Sequence, residues 1–398
     1  MVISQALRAL AEKTISRAIA VQQIPAPTFA ESDRASAVAD ELRRLVAPAG
    51  GSVDITGAAS GGGEGEPVNV IATIPGPAGV SPLLISAHTD TVFPAYTDLS
   101  VTGSPSTPRV AGPGIGDNSL AVGALLSVAE VLGRQSALPV PVVLLANAGE
   151  EGRGDLCGIN AALDLLDDRS LRPAAAIVLE GLALGRVYHA GIGVKRYEIS
   201  VRGPGGHSWG DAGTPSAVHE LAVGLARLCE LELPEEPRST LNIGVISGGR
   251  SINTIADFAT AELDLRSATA AGIDSLDRTV REQLERWSPG EGLSKEIDVI
   301  GARPAGAIGR SHPLVQAALE AATEVPAKLQ SGSTDANALF ARGIAAVCVG
   351  VSTGANAHRL DEYIETMPAA AGLSQLGRLI ERAAEMIADG TITDGGDR

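Results

Sequence analysis

The chain has 398 residues, which at about 150 residues per domain suggests two or three domains. Its net charge of −16 argues against a nucleic-acid partner, because nucleic acid requires a basic protein face. The three cysteines (Cys157, Cys229 and Cys348) are far apart and odd in number, which argues against a disulfide framework and favours a reducing compartment.

The N-terminal segment 1–21 has apolar residues at helical spacing with Arg and Lys between them. It lacks the continuous apolar core and the cleavage site of a signal peptide. No run of about 18 apolar residues occurs, so we expect no membrane span. Together with the cysteine pattern, this predicts a cytoplasmic protein.

Apolar runs in the first half of the chain are typical of buried parallel strands. They cover residues 68–74, 82–87, 140–148 and 174–180, and a similar run returns at 345–352. Helical patterns at 119–135 and 158–168 separate them, and a Gly-rich stretch at 59–67 reads as a connector. This alternation predicts an α/β fold with a mostly parallel sheet flanked by helices.

The middle of the chain has a different pattern. Strand-like alternation appears at 194–203, 240–249, 259–267 and 294–302, and helical spacing at 215–231 and 275–287. The order β-α-β-β-α-β is that of a ferredoxin-like unit with an antiparallel sheet. We therefore predict an inserted α+β domain at 193–303 within a catalytic domain formed by 1–192 and 304–398.

Acidic residues and histidines collect where predicted strands end. In open α/β sheets, ligand sites form outside the carboxyl ends of the strands. Each residue alone has a structural interpretation, such as a helix cap or a solvated turn, but their joint placement favours a site. The candidates are His88, Asp117, Glu150, Glu151, Glu180 and His358.

These residue types suit zinc, which binds imidazole nitrogen and carboxylate oxygen. Three carboxylates and one hydroxide balance two divalent cations, which leaves one of the adjacent Glu150 and Glu151 free as a general base. Asp90 lies two positions after His88 on an extended strand and therefore faces the same way. It can accept the other ring N–H of His88 and fix its tautomer.

Six short motifs support this interpretation. They are HTDTV (88–92), GDNS (116–119), AGEEG (148–152), LEG (179–181), GGHSWG (205–210) and AHRLDE (357–362). In this order they resemble the zinc aminoacylase and carboxypeptidase family, which includes glutamate carboxypeptidase, acetylornithine deacetylase, succinyl-diaminopimelate desuccinylase and bacterial tripeptidases. The resemblance covers nearly the whole chain, including the inserted domain.

The resemblance implies a site with two zinc ions per chain, about 3.5 Å apart, with cobalt or manganese as other possible metals. Glu150 would take the proton from the attacking water and pass it to the leaving amine. The Asp117–Asn118 peptide bond would be cis. The implied ligands are His88 and Glu180 for one ion and Glu151 and His358 for the other, with Asp117 bridging them.

The resemblance also implies roles for residues of the inserted domain. His207 would reach across a homodimer, formed through the inserted domain, to stabilise the oxyanion; alone, it reads as a loop histidine. Asn253 and Arg266 would grip a substrate carboxylate. A salt bridge from Arg266 to Asp264 is the competing interpretation.

Outside that domain, Gly332 and Ser333 match a loop that lines the substrate site in the family. The resulting hypothesis is a metal-dependent hydrolase that cleaves an amide bond in a short peptide or N-acyl amino acid with dizinc-activated water. The alternatives are an amidohydrolase acting on an N-carbamoyl, ureido or arylamine C–N bond, a single-metal enzyme, and a catalytically silent member that only binds its ligand.

Overall fold

The computed structural model describes residues 2–58 and 67–394, so most of the connector predicted at 59–67 lies outside the described residues. The chain divides into two compact units. We call residues 1–190 with 307–398 the main unit, and residues 191–306 the inserted unit.

The strands, in chain order, are β1 (Ser52–Gly57), β2 (Val68–Ile74), β3 (Leu83–His88), β4 (Arg109–Ala111), β5 (Val142–Asn147), β6 (Ala175–Glu180), β7 (Arg186–Gly191), β8 (Gly193–Arg202), β9 (Gly206–His207), β10 (Ser239–Gly248), β11 (Thr254–Ile255), β12 (Phe258–Ser267), β13 (Ser294–Arg303), β14 (Gly306–Ala307), β15 (Lys328–Gly332), β16 (Ala345–Gly350), β17 (Gly354–Ala355) and β18 (Tyr363–Glu365). The helices are α1 (Ile3–Ala9), α2 (Ala11–Gln22), α3 (Ser32–Val46), α4 (Leu120–Leu132), α5 (Cys157–Asp168), α6 (Ala217–Cys229), α7 (Ala270–Arg286), α8 (Pro313–Ala321), α9 (Ala336–Ala341) and α10 (Ala369–Ala388).

The main unit is built on a sheet with the strand order β1-β2-β5-β3-β6-β16-β7-β14. Strands β3, β5, β6 and β16 pair in parallel, as their continuous apolar runs predict. The α/β fold class is therefore confirmed. The prediction that 68–74 is a parallel strand is wrong, because β2 runs antiparallel to both β1 and β5. An apolar run indicates a strand that is buried on both faces. An antiparallel strand that is covered on both faces gives the same pattern.

Helix α4 is the central helix of the main unit, and all of its residues are buried. Among the described residues, one stretch, 115–132, is long and apolar enough to cross a membrane by length and composition, and 94% of it is buried inside the protein. Burial of that kind is typical of a core helix, which passes the same test.

The inserted unit has the predicted ferredoxin-like arrangement. Its sheet order is β10-β12-β8-β13, and every neighbouring pair is antiparallel. Alternate residues of β8 and β12 point inward, and α6 and α7 contribute their apolar faces to the same core. The predicted alternation therefore placed each strand of this sheet.

Candidate metal centre

Candidate ligands lie at the carboxyl ends of parallel strands in the main sheet. Strand β3 ends at His88 and strand β6 ends at Glu180, while Glu150 and Glu151 follow the end of β5. Gly181 allows the end of β6 to approach the loop that precedes α4, because a Cβ at this position would lie 1.9 Å from the carbonyl oxygen of Gly116.

Asp117 lies between two histidines. Its Oδ1 is 3.2 Å from Nε2 of His88, and its Oδ2 is 3.1 Å from Nε2 of His358. Asp117 sits in a wide turn, Ile115–Ser119, directly before α4, and the Asp117–Asn118 peptide bond is cis, as predicted. Asn118 fixes this turn on β6, because its side chain donates to the Leu179 carbonyl and accepts the N–H of Gly181.

Glu180 lies near His88 and Asp117, and Glu151 lies near Asp117 and His358. In each group the candidate ligand atoms lie within 4.8 Å of one another. Two ligands at the usual zinc distances and a tetrahedral angle lie about 3.3 Å apart, which the contacts of Asp117 match. The donor set therefore fits two divalent metal ions that share Asp117. The groups are His88 with Asp117 and Glu180, Asp117 with Glu151 and His358, and His88 with Glu150 and Glu151.

The histidines and carboxylates of the site strongly shift one another's pKa values. Burial alone lowers the pKa of His88, but hydrogen bonds to Asp117 and Asp90 raise it well above its usual value. Burial alone raises the pKa of Asp117, but hydrogen bonds to His358 and His88 bring it well below its usual range. Burial raises the pKa of Glu180. The surrounding carboxylates therefore favour positive charge at the histidines.

His358 is the more exposed of the two histidines, with 53% of its side chain accessible. Its Nε2 is also 3.1 Å from Oε1 of Glu151. Hydrogen bonds to Asp117 and Glu151 raise the pKa of His358 to about 10. A cation at this nitrogen is therefore strongly favoured, whether it is a proton or a metal.

Asp90 contacts more of the site than the sequence predicted. Its Oδ1 is 3.4 Å from Nδ1 of His88, close to the contact expected, and its backbone oxygen is 3.2 Å from the same nitrogen. Its carboxylate also accepts the backbone N–H groups of Glu150 and Glu151, at 3.0 and 2.9 Å, and the hydroxyl of Thr28. Asp90 therefore holds the Glu150–Glu151 segment in addition to His88.

Two further buried carboxylates were missed from the sequence. Glu31 accepts the N–H groups of Phe29 and Gly149, and burial raises its pKa to about 7. Glu362 accepts backbone N–H groups of the turn that carries Asp117, and burial raises its pKa to about 7 as well. Glu362 is the last residue of the motif AHRLDE, which was the available signal; nothing marked Glu31.

The remaining predicted residues of the inserted unit lie on its strands and turns. His207 ends β9 and is exposed, and its Nδ1 accepts the backbone N–H groups of Trp209 and Gly210. Asn253 accepts a hydrogen bond from the Ser251 hydroxyl. Arg266 lies in β12 and forms a bidentate pair with Asp264, at 2.7 and 3.2 Å. The competing salt bridge is thus formed, while the substrate roles of these residues stay predictions.

Gly332 ends β15 in the main unit, with Ser333 directly after it. A Cβ at Gly332 would lie 2.8 Å from the ring of Tyr188, so the packing of that ring requires glycine here. This gives a structural reason for Gly332; the predicted roles of Gly332 and Ser333 in lining the substrate site stay predictions.

A shallow cleft of about 350 Å³ opens beside the metal ligands of the main unit. Apart from Glu151, its lining side chains are uncharged. The hydroxyl of Thr28 is already bonded to Asp90, and Thr91 accepts the N–H of Phe93. The cleft therefore offers mainly apolar surface next to the site. It is lined by Pro27, Thr28, Thr91, Val92, Pro94, Glu151 and Gly152.

The chain is similar to known proteins in sequence and in fold. An acetylornithine deacetylase of Klebsiella pneumoniae is 28% identical over 313 residues, which cover 72% of this chain and 76% of the relative. A tripeptidase structure from Staphylococcus aureus superposes with a TM-score of 0.74 at 19% identity, covering 94% of this chain and 99% of that one. A dipeptidase structure from Saccharomyces cerevisiae gives a TM-score of 0.75 at 14% identity, covering 96% and 98%.

A sequence profile of peptidase family M20/M25/M40 matches residues 84–387, which contain every candidate metal ligand and the whole inserted unit. The match spans well over half of the chain. The protein therefore belongs to peptidase family M20/M25/M40, a family of metal-dependent enzymes that hydrolyse C–N amide bonds.

Proposed function

We propose that the protein is a dinuclear zinc hydrolase that cleaves an amide bond in a short peptide or an N-acyl amino acid. The observation that carries the proposal is the position of Asp117, whose two oxygens face His88 at 3.2 Å and His358 at 3.1 Å. A carboxylate so placed is suited to bridging two cations, with Glu180 and Glu151 completing the pair of sites.

The chemistry follows from the donor set. Zinc held by His88, Asp117, Glu180, Glu151 and His358 would act as a Lewis acid for the scissile carbonyl and would lower the pKa of the attacking water. Glu150, left over when the metal ligands are assigned, takes the proton of that water and delivers it to the departing amine. It is 6% exposed, so the proton transfer is shielded from bulk solvent. Asp90 keeps His88 and the backbone of Glu150 in place.

His207 supplies the hydrogen bond to the oxyanion in this proposal. Because two backbone N–H groups point at its Nδ1, that nitrogen is the acceptor and the ring proton belongs on Nε2. The Nε2–H group is then a donor for a developing negative charge.

We further propose that His207 acts from the neighbouring subunit of a homodimer formed through the inserted unit. Strand β10 is the edge of its sheet, and its Val245 and Ile246 are 49% and 62% exposed. Exposed apolar edge strands are prone to pair with another copy.

Ile246→Glu should give a monomer in sedimentation. Mixing inactive Glu150→Gln and His207→Ala chains should restore some activity; a proven mixed dimer without recovery contradicts action across subunits.

The substrate is the less constrained part of the proposal. Relatives named as acetylornithine deacetylase and tripeptidase support N-acyl amino acids and short peptides. The uncharged cleft beside Glu151 favours substrates with an apolar group near the scissile bond. The reducing compartment inferred from three free cysteines supports a cytoplasmic enzyme.

One observation keeps an alternative substrate class open. Asp264 already occupies the guanidinium of Arg266 in a bidentate pair, so Arg266 must exchange this partner to bind a substrate carboxylate. An N-carbamoyl or ureido substrate without a carboxylate needs no such exchange. If Arg266→Leu lowers kcat/KM for N-acyl amino acids at least tenfold, the carboxylate role holds; unchanged kcat/KM on a preferred carbamoyl substrate favours the alternative.

The deciding experiment is metal content per chain, measured on protein purified without chelator, together with hydrolysis of dipeptides, tripeptides and N-acyl amino acids. We expect about two zinc ions per chain and turnover of at least one of these classes. One ion with full activity indicates a single-metal enzyme. No metal, and no activation by added zinc, cobalt or manganese, refutes the proposed function.

A further inference from the structure

Glu362 is a fully buried carboxylate near the metal centre that is not a candidate ligand. Its side chain is 0% exposed. Oε1 accepts the backbone N–H groups of Gly116 and Asp117, at 2.6 and 2.8 Å, and Oε2 accepts that of Gly114, at 3.3 Å. All three of these hydrogen bonds come from backbone N–H groups rather than from a cationic side chain. Burying a carboxylate without a cationic partner is costly, so its presence calls for a reason.

The turn that donates these hydrogen bonds departs from helical geometry at its centre. Asp117 has φ −111° and ψ 89°, and Asn118 has φ −129° and ψ 28°, both away from helical values. The turn therefore departs from the helical hydrogen-bonding pattern, and a buried N–H that has no carbonyl partner requires another acceptor. The two oxygens of the Glu362 carboxylate supply acceptors for three N–H groups at the entry of the turn, those of Gly114, Gly116 and Asp117.

Glu362 also connects two ligand-bearing segments. It lies four positions after His358. Its backbone oxygen accepts the N–H of Gly112 at 2.8 Å, and the next residues form β18, which pairs with β4 through Ile364 and Val110. The segment with His358 is thus aligned, by backbone and side chain together, with the segment that leads to Asp117.

We propose that Glu362 is a positioning residue for the metal centre, which sets the backbone at Asp117 so that this carboxylate meets His88 and His358 at the same time. The orientation of Asp117 follows from its own backbone N–H, which Glu362 holds at 2.8 Å. This inference rests on the proposed dinuclear site. Mutation of a residue that holds a metal ligand in place typically lowers metal affinity about 10- to 100-fold.

The test uses the full chain with Glu362→Gln, and Glu365→Gln as the matched control. The glutamine has nearly the shape of glutamate, but its amide nitrogen must face an N–H donor of the turn. Glu365 ends β18, the strand that directly follows Glu362, and its carboxylate bonds to Arg109 and the Thr353 hydroxyl, not to the turn. The readouts are the zinc dissociation constant from chelator competition, and the thermal unfolding midpoint of the metal-free chain.

We expect Glu362→Gln to raise the zinc dissociation constant of at least one site by about 10- to 100-fold, and Glu365→Gln to leave both constants within about twofold. Glu362→Asp, which keeps the charge on a shorter side chain, should give a smaller rise than the glutamine variant. A structural role alone lowers the unfolding midpoint of the metal-free chain and leaves the zinc affinity of the folded chain unchanged.

Wild-type affinity for zinc in folded Glu362→Gln overturns the inference and leaves the proposed function intact. If neither Glu362 variant folds, the residue serves folding and the inference is likewise overturned. If the wild-type chain itself binds no zinc, cobalt or manganese, the proposed function fails and the inference fails with it.

Discussion

Glu150 and Glu151 are adjacent, similarly buried and both hydrogen-bonded through their backbone to Asp90. The proposed mechanism nevertheless gives them different roles, Glu150 as general base and Glu151 as metal ligand. They are 6% and 7% exposed, and Asp90 accepts the backbone N–H of each. A substitution of either side chain leaves this backbone anchor intact. We therefore expect Glu150→Gln to keep both metals and lose turnover, and Glu151→Gln to lose metal, so that each variant is the control for the other.

The expected magnitudes follow from those roles. A general base contributes about 10²- to 10⁴-fold, which corresponds to about 2.7–5.4 kcal/mol of barrier, so kcat of Glu150→Gln should fall by that factor. Glu151 lies 3.1 Å from His358 Nε2, where the second metal is expected. Removing a direct ligand should weaken zinc binding there by more than the roughly 100-fold seen for residues that hold a ligand in place.

The assay combines elemental analysis of both variants with initial rates on the best substrate of the panel, at saturating zinc. Glu150→Gln with two metals and more than about a tenth of the wild-type rate refutes the general-base role. Loss of metal from Glu150→Gln, with full occupancy in Glu151→Gln, shows that the two roles are exchanged.

Three further predictions concern the same centre. Asp90→Asn should raise the zinc dissociation constant about 10- to 100-fold, measured by chelator competition, because Asp90 holds both His88 and the Glu150–Glu151 segment. Zinc binding at pH 7 should release protons, measured by calorimetry in buffers of different ionisation enthalpy, because hydrogen bonds to carboxylates raise the pKa of His358 to about 10, and that of His88 well above its usual value, in the metal-free chain; affinity should accordingly rise with pH, and His358→Ala should reduce this release by about one proton. Chelation should destabilise the chain against unfolding by about 2.7 kcal/mol for each zinc site, relative to free zinc at 100 times the dissociation constant of that site, and an unchanged thermal midpoint would contradict this linkage.

Most of the fold could be predicted because its signals are local. The strands that end at His88 and Glu180 are continuous apolar runs, and the carboxyl ends of parallel strands meet at one edge of a sheet. Placement of the candidate ligands at strand ends was therefore enough to expect them together. Strand direction was less accessible, because the apolar run 68–74 reports burial and carries no information on whether its neighbours are parallel.

The supporting carboxylates could not be predicted for a different reason. Apart from the N–H of Phe29, the groups that Glu31 and Glu362 accept are backbone N–H groups far away in the sequence, at Gly149 and at Gly114, Gly116 and Asp117. Every residue except proline carries a backbone N–H, so the sequence does not show which of these groups a carboxylate will bond. Arg266 shows the converse, since its partner Asp264 lies two positions away and the salt bridge could be named beforehand.

Backbone anchoring by carboxylates has an electrostatic consequence for the whole centre. Asp90, Glu31 and Glu362 add three buried acidic groups around a ligand set that is itself mostly acidic. Each hydrogen bond orders a ligand-bearing loop, but the groups repel one another, and desolvation raises the pKa of Glu31 and Glu362 to about 7. In the proposed dinuclear site, two divalent cations would offset that repulsion. The acidic surroundings thus favour metal binding by charge, while the hydrogen bonds define the geometry in which the metals are received.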